Sequence, residues 1–248
     1  MCRLAVVKLG GSVVTRKSEP ETIDYENLAS CSRAVREYLD RGGRLVLVLG
    51  GGSFGHYAVR KLLESKRGLD ARDSSVVQLS MMKLALSVLL ELHRSGVPAV
   101  AHPPHSICEN ADAESCDTAV IRRDLSLGLV PVVFGDAIPS GRGAEIISGD
   151  DIAAEIASSL RADCLIFVTS APGVLARNGE VVRVVRSLDE IELFSTEGFD
   201  VTGGIARKVE RALQASRMVE NVRIVGVKDL GRALAGDDVG TRVVASGE

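Results

Sequence analysis

Within seven residues, Gly50-Gly51-Gly52-Ser53-Phe54-Gly55-His56 places four glycines and a histidine directly after the apolar run 45–49. A strand that feeds a glycine-rich turn points several backbone N–H groups at one place, with no side chains to keep an anion away. A histidine closing the turn adds a donor whose charge changes near neutral pH. Three further turns share this character: Lys8-Leu9-Gly10-Gly11-Ser12 after an N-terminal apolar run, Ser148-Gly149-Asp150-Asp151 mid-chain, and Thr202-Gly203-Gly204 before a segment carrying Lys208. Lysines are scarce, 7 against 23 arginines, yet Lys8, Lys17 and Lys208 all lie in or beside glycine turns. An ammonium is a compact charge able to follow a moving phosphoryl group, whereas a guanidinium is a rigid fork. These residues fit phosphoryl transfer, which asks a protein for alignment and neutralisation of charge rather than covalent help. Asp150, at a helix start, either caps that helix or holds two lysines in position.

Periodicity supplies the elements that must bring these turns together. Residues 3–9, 44–49, 97–101, 129–134, 163–169, 221–227 and 241–245 read as strands. Residues 25–41, 74–94, 113–126, 151–160 and 204–220 read as helices, and 137–147 and 173–183 as hairpins. This alternation predicts an α/β fold, a three-layer αβα sandwich with a mainly parallel central sheet. In such sheets ligands gather at the carboxyl ends of strands, and all four turns fall there or at helix N-termini. The expected organisation is a single continuous fold of two lobes, residues 1–160 and 161–248.

Composition narrows the partners. Of 248 residues, 46% are hydrophobic and 25% charged, the balance of an ordinary globular protein. A formal net charge of −3 argues against a general nucleic-acid binder. No window approaches the ~20 apolar residues of a membrane span, and Met1-Cys2-Arg3 has no signal-peptide layout, so a cytoplasmic location is expected. The cysteines, Cys2, Cys31, Cys108, Cys116 and Cys164, are odd in number and form no CxxC pair. No His/Cys cluster has metal-ligand spacing, and His102 and His105 read as parts of a loop around Pro103-Pro104. Only 4 Asn and 2 Gln are present, a composition in keeping with high temperature.

The glycine pattern matches neither GxxxxGK[ST] nor GxGxxG. Together the KxGGS, GGG, SGD and TGG turns resemble the amino acid kinase family, whose fold is carbamate kinase-like. Within it, Gly51 to His56, Lys17 after Gly10-Gly11-Ser12, Pro131-Val132-Val133-Phe134-Gly135-Asp136 and Asp200-Val201-Thr202-Gly203-Gly204 resemble the isopentenyl phosphate kinases. The resemblance covers residues 4 to about 244 and implies ATP-dependent phosphorylation of isopentenyl phosphate, with Mg2+, in an alternative mevalonate route of isoprenoid biosynthesis. It implies that Lys8, Leu9, Gly10, Gly11, Ser12 and Gly52 surround the ATP phosphates, with Thr169 and Gly173 on the nucleotide side. Gly203 and Lys208 would grip the nucleotide from the second lobe, while Gly51, His56 and Gly149 would hold the acceptor phosphate. Lys17 would stabilise the transition state, and Lys8, His56 and Asp150 complete the implied catalytic set. The first lobe is thereby expected to bind the acceptor and the second the nucleotide, in a homodimer. An apolar tail needs a slot, for which Val76, Val77, Leu79, Met81 and Met82 are candidates, alongside the alternative that most are ordinary core.

One segment departs from the family pattern: Thr169-Ser170-Ala171-Pro172-Gly173-Val174-Leu175 lacks the two acids and the following aromatic usual on the nucleotide side. Weak discrimination between bases is therefore expected. A kinase of the same fold acting on a fosfomycin-type phosphonate or on uridylate stays open as an alternative, as does a non-catalytic nucleotide-binding or storage protein.

Overall fold

The computed structural model describes residues 2–16, 18–141, 143–190 and 204–245. Strand β1 (Leu4–Leu9) runs through Gly10 into a single helical turn, α1 (Gly11–Val14), and Asp24 then caps α2 (Tyr25–Asp40) by accepting the Asn27 N–H. Strand β2 (Arg44–Leu49) feeds α3 (Gly52–Leu63), and α4 (Asp73–Arg94) follows. Strand β3 (Ala99–Ala101), the short α5 (Pro104–Ile107) and α6 (Ala119–Ser126) lead to β4 (Val130–Phe134). A small antiparallel ribbon, β5 (Asp136–Ser140) with β6 (Gly143–Ile147), precedes α7 (Gly149–Ser159). Strand β7 (Cys164–Thr169), β8 (Val184–Val185), α8 (Ile205–Ala215), β9 (Asn221–Gly226), α9 (Leu230–Ala235) and β10 (Thr241–Val243) complete the described chain.

Eight strands form one sheet in the order β3-β4-β2-β1-β7-β9-β10-β8, parallel at every pairing except β9 with β10. The register matters most for function. Leu9 lies beside Leu49 and Val168, and Leu49 beside Phe134, so four adjacent parallel strands end in one row. The chain leaves that row at Gly10, Gly50, Gly135 and Thr169. Successive strands from β1 go to opposite sides of it, which opens a crevice at the switch point.

Two apolar layers sandwich the sheet. Ala5, Val7 and Leu9 face the layer built with Leu28, Val35, Met81 and Leu84 from α2 and α4. Leu4 and Val6 face the other, with Ile152 and Ile156 from α7 and Val209 from α8. Because side chains alternate along a strand, Lys8 falls on the α7 side.

The structure differs from the sequence reading in several places. The segment after Gly51 is a full helix, with buried Phe54 and Ala58 one turn apart, rather than only a turn. The helix expected over 113–126 is a 3₁₀ turn (Ala113–Ser115) and then α6, interrupted where Asp117 accepts the Ala119 N–H. The second hairpin is reduced to a single bridge between Leu175 and Val181. By length and composition, α4 is apolar enough to cross a membrane, which the sequence reading had not found, but Val77, Met81, Leu84, Val88 and Leu92 are buried in the protein's own core. Four cysteines pair, Cys2 with Cys164 and Cys108 with Cys116, leaving Cys31 free and buried. The first pair joins residues 162 apart in sequence, and only the adjacency of β1 and β7 makes it visible.

Candidate active site

The row of strand ends opens into a cavity of about 1000 Å3. Its floor is made by the glycine turns, which pack on one another backbone to backbone. A methyl on Gly11 would fall on the backbone of Gly52, and one on Gly149 would come within 2.7 Å of the Leu49 carbonyl oxygen. Thr15, which sequence reasoning missed, stitches two turns together: its buried hydroxyl donates to the Gly11 carbonyl (2.7 Å) and accepts the Ser53 N–H (2.9 Å). Nothing in its sequence neighbourhood marks it, because the contact spans 38 residues.

Gly52 has φ +50, a conformation glycine adopts freely and other residues do not, and a methyl there would overlap the Thr15 hydroxyl. Gly52→Ala is therefore expected to open the seam between the two turns and lower activity by at least tenfold, about 1.4 kcal/mol at the transition state. Steady-state assays of a variant with wild-type circular dichroism check this; unimpaired turnover contradicts it.

The charged centre lies beside these turns, where a methyl on Gly50 would come within 3.0 Å of the Lys8 ammonium nitrogen. Ser148 caps α7 by accepting the Asp150 N–H at 3.1 Å, which frees the Asp150 carboxylate for other partners. It accepts the Lys8 ammonium at 2.8 Å and the Lys208 ammonium at 2.9 and 3.0 Å. All three residues are buried, and Lys208 also lies over the Phe167 ring. Two cations around one anion leave an excess positive charge facing the cavity. Burial alone would raise the Asp150 carboxyl, but the two ammonium groups overcome it and hold it at about 2. Lys208 moves down to about 8, because burial and repulsion from Lys8 outweigh its attraction to Asp150. Asp151 faces outward, tying α8 to α7 through Arg207 (2.6 Å) and Arg211 (2.5 Å).

A protonated Lys208 is charged below about pH 8 and loses its charge as pH rises through that value, while Asp150 stays ionised throughout. Should its charge be required, kcat/KM falls above about pH 8. The corresponding limb of kcat lies at higher pH, because bound phosphates favour the ammonium. A kcat/KM profile flat to pH 10 contradicts a need for that charge.

Of the residues singled out in the sequence, Lys8, Gly10, Gly11, Ser12, Gly51, Gly52, His56, Gly149, Asp150, Thr169, Gly173 and Lys208 all line this cavity. Leu9 does not: its side chain is buried in the core and its carbonyl accepts the Gly50 N–H. Lys17 and Gly203 lie outside the described residues. Of the five apolar candidates on α4, Val77 and Met81 are buried against the cavity, whereas Val76, Leu79 and Met82 point away and are exposed. Asp136 was passed over as a site residue; it lines the cavity, and burial pushes its carboxyl up. Among the described residues no group of three or more His, Cys, Asp or Glu is placed to hold a metal ion.

A parallel sheet with glycine turns at its switch point and a lysine–carboxylate–lysine centre beside them defines a small-molecule phosphotransferase of the amino acid kinase class. The chain belongs to the amino acid kinase family, whose family model matches residues 3–226. It is 38% identical over 245 residues to an isopentenyl phosphate kinase of Haloferax volcanii, covering 96% of this chain and 97% of that one. An isopentenyl phosphate kinase of Methanocaldococcus jannaschii is 32% identical over 222 residues, covering 84% and 85%. A crystal structure of isopentenyl phosphate kinase superposes with a TM-score of 0.81 at 26% identity, covering 97% of this chain and 100% of that one.

Proposed function

We propose that the protein transfers the γ-phosphoryl group of ATP to isopentenyl phosphate. One oxygen of the acceptor phosphate forms a bond to the γ-phosphorus, the bond from that phosphorus to the β–γ bridging oxygen breaks, and ADP and isopentenyl diphosphate leave. The observation that carries this reading is that one cavity joins the histidine and glycine turns to the buried apolar wall of Val77 and Met81. A phosphate with a short apolar tail fits that combination, and it agrees with the acceptor named for the relatives above. It does not favour the uridylate, phosphonate or storage readings.

The acceptor phosphate has a second pKa of about 6, so at neutral pH it is already a deprotonated nucleophile and needs no general base. It needs to be held against the repulsion of another phosphate. In this reading His56, Gly51 and Gly149 do so, Gly10, Gly11, Ser12 and Gly52 receive the ATP phosphates, and Lys17 meets charge on the transferring group. Lys8 and Lys208, spaced by Asp150, neutralise the β- and γ-phosphates, since preorganised charge is worth most where charge shifts. Residues 1–160 then bind the acceptor and also present their glycine turns and Lys8 to the ATP phosphates, while residues 161–248 hold the rest of the nucleotide. Among the described residues no group of three or more His, Cys, Asp or Glu is placed to hold a metal ion, and Asp150 is committed to two lysines. Mg2+ accompanying ATP would neutralise charge on its phosphates beside Lys8 and Lys208. A coupled ADP-release assay over isopentenyl phosphate, uridylate, N-acetylglutamate and a phosphonate tests the acceptor; a higher kcat/KM for any of the others overturns it.

Among the described residues, Asp136 and Asp150 are the only acids lining the cavity, and its nucleotide side presents Ser170, Ala171, Leu175 and Arg177. Contacts to phosphates carry no information about the base. At least one of GTP, CTP and UTP is expected to support turnover within about tenfold of ATP, 1.4 kcal/mol at the transition state. A thousandfold preference for ATP would show that another group reads adenine. The exposed stripe of α4, Val76, Leu79, Met82, Leu86 and Leu90, supports a homodimer through this helix. Light scattering tests it: a monomer at micromolar concentration refutes it.

A further inference from the structure

The first turn of α7 carries two acids in succession, α8 carries two bases in succession, and each acid meets a base. The inner pair, Asp150 with Lys208, is buried and belongs to the charged centre. In the outer pair, Nη2 of Arg207 donates to Asp151 Oδ2 at 2.6 Å. Asp151 has a second partner one turn further along α8, where Nε of Arg211 donates to Oδ1 at 2.5 Å. Arg211 is fastened again through Nη1, which donates to the Gln214 side-chain oxygen at 2.6 Å. The two arginines differ in what else they face: Arg207 lines the cavity and Arg211 does not.

One carboxylate between two guanidinium groups has more positive charge than it needs. Arg211 alone keeps Asp151 compensated, so Arg207 can leave without stranding an unpaired acid. Leaving also costs little, because the Arg207 side chain is 48% exposed and exposed ion pairs contribute little. A guanidinium carries five N–H donors, and among the described residues Arg207 uses one of them, on Asp151. The planar fork that remains suits two oxygens of a single phosphate. Arg207 also directly precedes Lys208, which the reading above sets against the ATP phosphates.

We propose that Arg207 is a nucleotide-binding residue that exchanges Asp151 for the triphosphate when the nucleotide enters, while Arg211 keeps Asp151 and holds α8 against α7. The inference rests on the reading that this cavity takes ATP. Losing a hydrogen bond to a charged group weakens binding about tenfold to a hundredfold, and that loss is expected when Arg207→Met binds the β,γ-imido analogue of ATP. The KM for isopentenyl phosphate is expected to change little. Arg207→Lys keeps the charge without the fork and is expected to fall between methionine and wild type. Asp151 competes with the triphosphate for Arg207, so Asp151→Asn is expected to bind the analogue more tightly, by up to about fivefold.

Calorimetric titration of the analogue with Mg2+ separates exchange from a fixed clasp between the helices. The proteins compared are wild type, Arg207→Met, Asp151→Asn, Arg211→Met and the Arg207→Met/Asp151→Asn double variant, each with its melting temperature. Exchange predicts weakening for Arg207→Met, a smaller change for Arg211→Met, and a tightening for Asp151→Asn that vanishes once Arg207 is gone. Wild-type affinity in Arg207→Met overturns the inference, and so does weakened affinity in Asp151→Asn, which a clasp would give. A loss confined to isopentenyl phosphate would move Arg207 to the acceptor and overturns it as well. Should Asp151→Asn not fold, the contrast between the two arginines still decides: equal weakening by Arg207→Met and Arg211→Met overturns the inference. If the wild-type protein does not bind the analogue, the ATP reading itself fails and this inference with it.

Discussion

Asp150→Asn is expected to abolish measurable turnover and to weaken the fold together. The amide keeps the shape of the carboxylate but not its charge, leaving the Lys8 and Lys208 ammonium groups buried against each other without a counter-ion. Breaking a buried ion pair from one side typically costs about 3–5 kcal/mol. That is a large share of the ~5–15 kcal/mol that stabilises a typical domain. The second consequence is chemical. Lys208 already sits at about 8 with Asp150 beside it, and losing that anion pushes it further down, because burial and repulsion from Lys8 then act unopposed. Losing one preorganised charge from a transition state costs about 10²–10³ in rate. Chemical denaturation and single-turnover kinetics measure the two effects separately. An Asp150→Asn protein with wild-type stability and rate would show that the triad is incidental to both.

His56→Ala should separate the two substrates. His56 stands on the first turns of α3, against Gly51 and at the same end of the cavity as Met81. Removing a hydrogen bond to a charged group costs about 1.5–3 kcal/mol, a factor of roughly ten to a hundred. That loss is expected in kcat/KM for isopentenyl phosphate, with ATP binding near normal. His56→Gln and His56→Asn keep a donor and are expected to retain more activity than alanine. Full activity of His56→Ala removes the acceptor assignment, and equal weakening of both substrates moves His56 to the nucleotide.

How far the sequence discloses this site can be judged residue by residue. Strand β2 was legible to the residue and β1 to within one, because a buried parallel strand is a short apolar run closed by glycine. Lys8, Asp150 and Lys208 were legible as candidates, since charges beside glycine turns are unusual. That Asp150 holds two lysines rather than capping its helix was legible as one of two readings; which two lysines meet there was not, because it depends on the register that aligns Leu9, Leu49, Phe134 and Val168. Register is a property of pairing and leaves no mark on either strand alone. The same limit hid Thr15, whose partners are distant, and the pairing of Cys2 with Cys164. Helix α3 was overlooked for a local reason: its glycine-rich start has weak helix propensity, and tertiary packing of Phe54 and Ala58 overrides it. On α4 the apolar residues surround most of the helix, so periodicity could not separate Val77 and Met81 from the outward Leu79 and Met82.

The reaction itself can be watched directly. Incubating the protein with ATP, Mg2+ and isopentenyl phosphate and following phosphorus NMR reports both substrates and both products at once. The account predicts that the isopentenyl phosphate monoester signal is replaced by the two coupled signals of isopentenyl diphosphate, in step with conversion of ATP to ADP. ADP appearing with inorganic phosphate while the monoester signal stays intact would contradict it.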